Sequence, residues 1–291
     1  MSANLKRGCG ILLIVSFVIL SILALLPDAD ADHDAGYISS ELTIQENVDG
    51  SVTSTNYVNP DGVITDAIDM GYATVCRMRD HNGRVVKERY LDASGNPVAR
   101  YGDYYRVSYE YDETSKVIIY LDAEDNPIIR SNGYSTIVRT QVDGRASDDF
   151  YYDLNGQQVQ CSGGYYGTHR EFNTEGQNTS LTFLDKDGHA VSTSSGYAIK
   201  TYQRDGNGTV VGEQYFDIEG NPVRSLLGQY GESYQRNEQG HIGQITYLDA
   251  DGNPDPTNAG YTILRRTYHR DGTADTDMYF DADGNLKALS K

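Results

Sequence analysis

The feature that most constrains this chain is an internal repeat. A motif of an aromatic residue, one further residue and an Asp or Asn returns at Asn59, Asp92, Asp122, Asp153, Asp185, Asp217, Asp249 and Asp281, each 30 to 33 residues after the last. A second landmark runs in phase with it, a Gly followed within two residues by Tyr. It opens the units at Gly36-Tyr37, Gly71-Tyr72, Gly102 with Tyr104, Gly133-Tyr134, Gly164-Tyr165, Gly196-Tyr197, Gly228 with Tyr230, and Gly260-Tyr261. Repeats of this length define the architecture before any single motif does.

Between the two landmarks lies a turn signal, such as Asp80 to Gly83, Asp143-Gly144 or Asn237 to Gly240; Asp112 to Ser115 fills the slot without a glycine. Asp and Asn bond their own backbone to start a turn, and Gly supplies the positive φ that closes it. The runs between turns, "GYATVCRM" or "GYTILRRTY", are short and rich in β-branched and aromatic residues, as strands are. Each unit therefore reads as a strand, a turn, a returning strand ending in Tyr-x-Asp, a second turn, and a short strand at "NPV". Pro97, Pro127, Pro222 and Pro254 recur at that last place, where a residue without an N–H belongs at a strand start or sheet edge.

One such unit cannot bury its apolar face alone, so stability must come from neighbour stacking on neighbour. The expected fold is all-β, an elongated stack (solenoid or superhelix) of about eight β-hairpin repeats of 32 residues over 36–291. A closed propeller is the alternative, although its blades usually take four strands and longer repeats. With 24 Tyr, 6 Phe and no Trp, tyrosine must supply the aromatic packing. Tyr90, Tyr120, Tyr152, Tyr215, Tyr247 and Tyr279 recur at one register. Exposed, they would form a ladder for stacking against sugar rings; buried, they would be the core.

The N-terminal part is different in kind. Residues 1–9 hold Lys6 and Arg7, and 10–27 form an uncharged apolar helix, followed by an acidic linker over 28–35. The flanking charges leave the N-terminus in the cytoplasm and the repeats outside. The segment is either a single-pass signal anchor in the cell membrane or a signal peptide cleaved near Ala31, which would release a secreted protein.

Beyond that segment 22 basic side chains face 42 acidic ones, a balance that excludes nucleic acid as a partner. A Cys76–Cys161 disulfide would need two cysteines at different places in their repeats to meet. The turns at Asp217, Asp249 and Asp281 look superficially like calcium loops but lack the twelve-residue spacing and closing Glu. If stacked, they could align as a loose acidic ladder. No nucleophile elbow, P-loop or HExxH motif is present, and the sequence implies no cofactor and no enzyme.

The Tyr-x-Asp-x-x-Gly pattern at Tyr215 to Gly220 and Tyr247 to Gly252 resembles the tyrosine–aspartate (YD, or RHS-type) repeats of bacterial surface proteins. The size and two-turn layout are similar to WG-type β-repeats, and "YLDASG" at 90 is similar to Gram-positive cell-wall-binding repeats. The resemblance implies a cell-surface, non-catalytic binding or adhesion module for a cell-wall or host glycan or a surface protein. The alternative is a structural stalk or spacer with no ligand of its own.

Overall fold

In the computed structural model, residues 42–67, 70–268 and 274–287 are described. They form sixteen strands and no helix. The first eight are β1 (Thr43–Asp49), β2 (Val52–Val58), β3 (Thr74–Arg79), β4 (Val85–Leu91), β5 (Arg106–Tyr111), β6 (Ser115–Leu121), β7 (Thr136–Val142) and β8 (Arg145–Tyr152). The rest are β9 (Gly167–Phe172), β10 (Asn178–Leu184), β11 (Ile199–Arg204), β12 (Val210–Phe216), β13 (Gly231–Arg236), β14 (Ile242–Leu248), β15 (Ile263–Tyr268) and β16 (Ala274–Phe280).

All sixteen lie in one antiparallel sheet in strict chain order. β1 and β16 are its two ends and are not paired with each other, so the sheet is open and not a barrel. A single sheet also excludes separate propeller blades. Every strand touches only the strands before and after it in sequence. The apolar segment 10–27, the linker 28–35 and Tyr37 lie outside the described residues.

Two kinds of connection alternate, and each follows from its turn residues. Within a unit the link is tight. At Asp143-Gly144 both residues have positive φ, 51° and 74°, the two-residue geometry whose twist matches that of paired strands. Where Asp-x-x-Gly replaces it, the pairing carries a β-bulge, as between Met78 and Arg79. Between units the link is longer and folds back over the sheet. It first turns at Asp-x-x-Gly, where Oδ1 of Asp92 accepts the backbone N–H groups of Ser94 (2.9 Å) and Asn96 (2.8 Å). It then meets the strand end once, at Leu91 with Pro97, and Val98 N–H donates to the Tyr90 carbonyl at 3.1 Å. The expected third strand at "NPV" is thus a single bridge. Proline cannot donate to a ladder, and the chain turns away immediately.

The second half of each long link carries the Gly-Tyr landmark and lies against one face of the sheet. In every such link but the one between β12 and β13, its Tyr inserts between the ring of the strand just finished and that of the next. The rings run Tyr57, Tyr72, Tyr90, Tyr104, Tyr120, Tyr134, Tyr151, Tyr165, Phe183, Tyr197, Tyr215, strand residue alternating with loop residue, at centroid separations of 4.4–6.1 Å. After one gap the column resumes through Tyr247, Tyr261 and Tyr279. Successive loops also bond to each other: Ser162 N–H donates to Asn132, Ser194 to Gly163, Leu226 to Ser195 and Asn258 to Leu227, all at 2.8 Å.

Cys76 and Cys161 are buried and no disulfide joins them. Cys76 is on β3 and Cys161 follows β8, five strands further on. At about 4.8 Å per strand that is roughly 24 Å, far beyond the reach of an S–S bond.

The column generates a direct prediction. Tyr134 is fully buried, stacked on Tyr151 at 4.5 Å, and its hydroxyl accepts from Arg130 at 3.0 Å. Tyr134→Ala should destabilise the protein by about 3–5 kcal/mol, and Tyr134→Phe by about 1–2 kcal/mol. Chemical denaturation of the two variants measures both. Equal losses would mean that the hydroxyl, not the ring, holds the loop down.

Candidate functional site

The tyrosines expected to recur as a ladder are the core. Tyr90, Tyr120, Tyr215 and Tyr247 are buried, and Tyr279, in the last strand, is half-buried. Tyr90 and Tyr120 each pack between two loop tyrosines, and Tyr215, Tyr247 and Tyr279 each pack against one, Tyr197 or Tyr261. Tyr152 belongs to neither role: strands alternate faces, so its neighbour Tyr151 enters the column and Tyr152 points the other way. A similar one-residue offset affects Tyr230. Ser225 N–H donates to the carbonyl of Gln229 as Thr193 does to Tyr197 and Thr257 to Tyr261. Gln229, not Tyr230, therefore occupies the ring slot and makes the gap in the column.

The acidic turns are also occupied by their own chain. Asp217 Oδ1 accepts from the backbones of Glu219 and Asn221, and Oδ2 from Asn221 Nδ2 at 3.1 Å. Asp249 and Asp281 repeat the arrangement. These bonds, chiefly from the backbone N–H four residues on, hold all three carboxyls below the usual aspartate range. Among the described residues no group of three or more His, Cys, Asp or Glu is placed to hold a metal ion.

Two residues before each strand ring, on the same face, runs a row that alternates in chemistry: Glu88, Ile118, Asp149, Leu181, Glu213, Ile245, Asp277. Each acid has a cation on a neighbouring strand. Arg77 meets Glu88 at 2.8 Å. Arg139 grips Asp149 with two bonds of 2.6 Å while Arg170 adds one of 2.9 Å. Arg266 holds Asp277 at 2.7 and 2.9 Å, and Lys200 meets Glu213 at 3.2 Å. The layer thus repeats over two units where the backbone repeats over one.

The regular order breaks between β11 and β13. Positions held by Val75, Val107, Ile137 and Thr168 in earlier units are taken by Lys200 and then Glu232. Glu213 and Glu232 face each other directly across β12 and β13, and Lys200 forms an ion pair with Glu213. The Tyr215 hydroxyl donates to Glu213 at 2.6 Å; Tyr234 and Gln229 each donate to Glu232 at 3.1 Å. Burial, and then the Glu213 carboxylate, push the Glu232 carboxyl up to about 7.

A second break lies on the opposite sheet face, at β3 to β6. Lys87, Arg89 and Arg106 line a hollow of about 320 Å³ together with Val52, Cys76, Met78, Glu88 and Asp125. Arg89 and Arg106 pair directly across β4 and β5. Asp125 bonds both Lys87 and Arg106 at 2.6 Å.

No protein family matches this chain, and no curated protein matches it. Among solved structures, a porin-like protein from Bacteroides uniformis is similar at a TM-score of 0.31 and 12% identity, over 87% of this chain and 95% of that one. A likeness that weak carries no argument about function.

The buried pair fixes a pH dependence. Glu232 has a native pKa above its unfolded value, so its protonated form stabilises the fold at low pH. That contribution is lost as pH rises from about 4.5 through 7. Wild type should lose roughly 3 kcal/mol relative to Glu232→Gln between pH 4 and pH 8. Parallel urea titrations of the two proteins across that range check it, and a constant difference would contradict the assignment.

Proposed function

We propose that this chain is a surface-displayed, non-catalytic binding module, built as a stack of eight hairpin repeats in a solenoid or superhelix. Its apolar segment 10–27 serves as a signal anchor or signal peptide. The partner is a cell-wall or host glycan, or a surface protein, met by the flat face of the sheet.

The inequality of the sheet's two faces carries this reading. One face is consumed by the ring column and its loops. On the other no strand is layered, although the turn holding Asp125 reaches Lys87 and Arg106, and it presents hydrogen-bonding side chains at successive registers. Among them are Thr140, His169, Thr201, Gln214, Ser233 and Arg265, half-exposed or exposed. His169 Nδ1 lies 2.8 Å from Asp148 across β8 and β9, which fixes its ring on that face. A polar row repeated on a rigid sheet suits an extended partner with many weak contacts. The tyrosine–aspartate and WG-type resemblance of the turns is consistent with such a role and names no ligand.

The spacer reading draws on a different observation, that every strand touches only its sequence neighbours. Units of that kind set a length without needing a partner. Passing the full chain over immobilised cell-wall polysaccharides and host glycans separates the two. A binding module is retained, and Gln214→Ala with Thr201→Ala weakens retention at least tenfold at unchanged Tm. A chain that passes every polymer, and every surface-protein fraction, is a spacer.

A further inference from the structure

The basic hollow between β3 and β6 has no counterpart in the other units. At the registers of Lys87, Arg89 and Arg106, those units carry neutral or acidic residues such as Val117, Thr182 and Gly231. Three cations on neighbouring registers of one face are therefore not part of the repeat's packing. They gather in a chain whose formal net charge is -18. Like charges directly opposite across a strand pair are unfavourable unless an anion is shared between them. Asp125 serves two of the three. Arg89 is exposed and makes no ion pair among the described residues, and Arg106 Nε is buried without a hydrogen-bond partner.

Asp125 is itself anomalous. It holds φ 71° at the turn position where each of the other seven units has Gly. A side chain there is strained, and what it delivers is one carboxylate to Lys87 and Arg106. Glu88, on the same strand as Lys87 and Arg89, is bonded to Arg77 and Tyr109 on the ring face and does not neutralise them.

We propose that this hollow binds a small carboxylate ligand of monosaccharide size, a uronic acid being the type. Its carboxylate bridges Arg89 and Arg106, in part by replacing Asp125. The volume lies at the lower end of small-molecule sites, and Val52 and Met78 give the sugar ring an apolar wall. Arginine pairs are the preferred partners of carboxylates because their planar forks donate two parallel bonds. The inference rests on the binding-module reading but uses residues that the flat-face test leaves untouched.

The test is calorimetric titration of the full chain with glucuronate, with glucose, acetate and glutamate as separate arms. Glucuronate should bind and glucose should not, and affinity should fall as salt is raised. Arg89→Gln, at an exposed position, should weaken glucuronate at least tenfold with Tm unchanged. Asp125→Gly, which restores the turn's usual residue and removes the internal competitor, should tighten it several-fold. Equal binding of acetate would overturn the sugar component, and tighter binding of glutamate would show an acidic peptide side chain to be the occupant. No glucuronate binding by either wild type or Asp125→Gly, or binding that Arg89→Gln leaves intact, would overturn the site. Retention on polysaccharides that survives Arg89→Gln and fails in Gln214→Ala would leave the binding-module reading standing while this one falls.

Discussion

The structure depends on aromatic rings that alternate between strand and loop. A sixteen-stranded sheet of short strands has one face to hide, and no helix among the described residues covers it. The loops do so themselves. All but one of them contribute a Tyr to a slot between two strand rings, at distances and tilts typical of favourable aromatic pairs. Because a loop ring touches the strand ring before it and the one after it, the same contact that closes a unit also joins it to the next. The column absorbs small changes in the loops: Tyr72 keeps its slot although its link is one residue longer than the others, and Tyr104 keeps its slot although its glycine comes one residue early, with Tyr101 and Gly102 at φ 53° and 70°.

Under the rings the charged row gives the repeats individuality. Burying a carboxylate is costly unless a cation and hydrogen bonds accompany it. Asp149 is bonded by both Arg139 and Arg170, whereas Lys200 pairs with Glu213 and Glu232 is bonded by Tyr234 and Gln229. The Gln229 gap lies at the same place. Where a ring is missing, the space is filled by an amide that bonds Ser225 and Glu232. The fold tolerates this because its neighbours on both sides remain in register, a property of nearest-neighbour architectures.

Much of the architecture was legible in the chain itself. The Asp-x-x-Gly turns, the strand pairs and the number of hairpins followed from residue types at fixed offsets. The fate of the tyrosines did not, because a recurring Tyr suits an exposed ladder or a core equally well until the loop that covers it is placed. Tyr151 and Tyr152 are adjacent, so a shift of one position exchanged a buried ring for one on the other face. Gln229 was overlooked because Tyr230 follows it and satisfied the landmark. The acid row was visible in principle, as Glu or Asp two residues before the ring in alternate units. Its arginines, however, lie ten or eleven positions away across a hairpin, or 21 away in the next unit as Arg170 does from Asp149, so the strand register must be known first. The basic hollow needed register as well, since Lys87 and Arg106 are 19 residues apart in sequence.

The central claim is that stability here is a chain of adjacent contacts rather than one shared nucleus. Hydrogen exchange followed strand by strand in a Phe183→Ala variant addresses it most directly. The account predicts lost protection in β9 to β12 with β3 to β6 exchanging as in wild type. A uniform loss along the whole sheet would show a single cooperative core and contradict it.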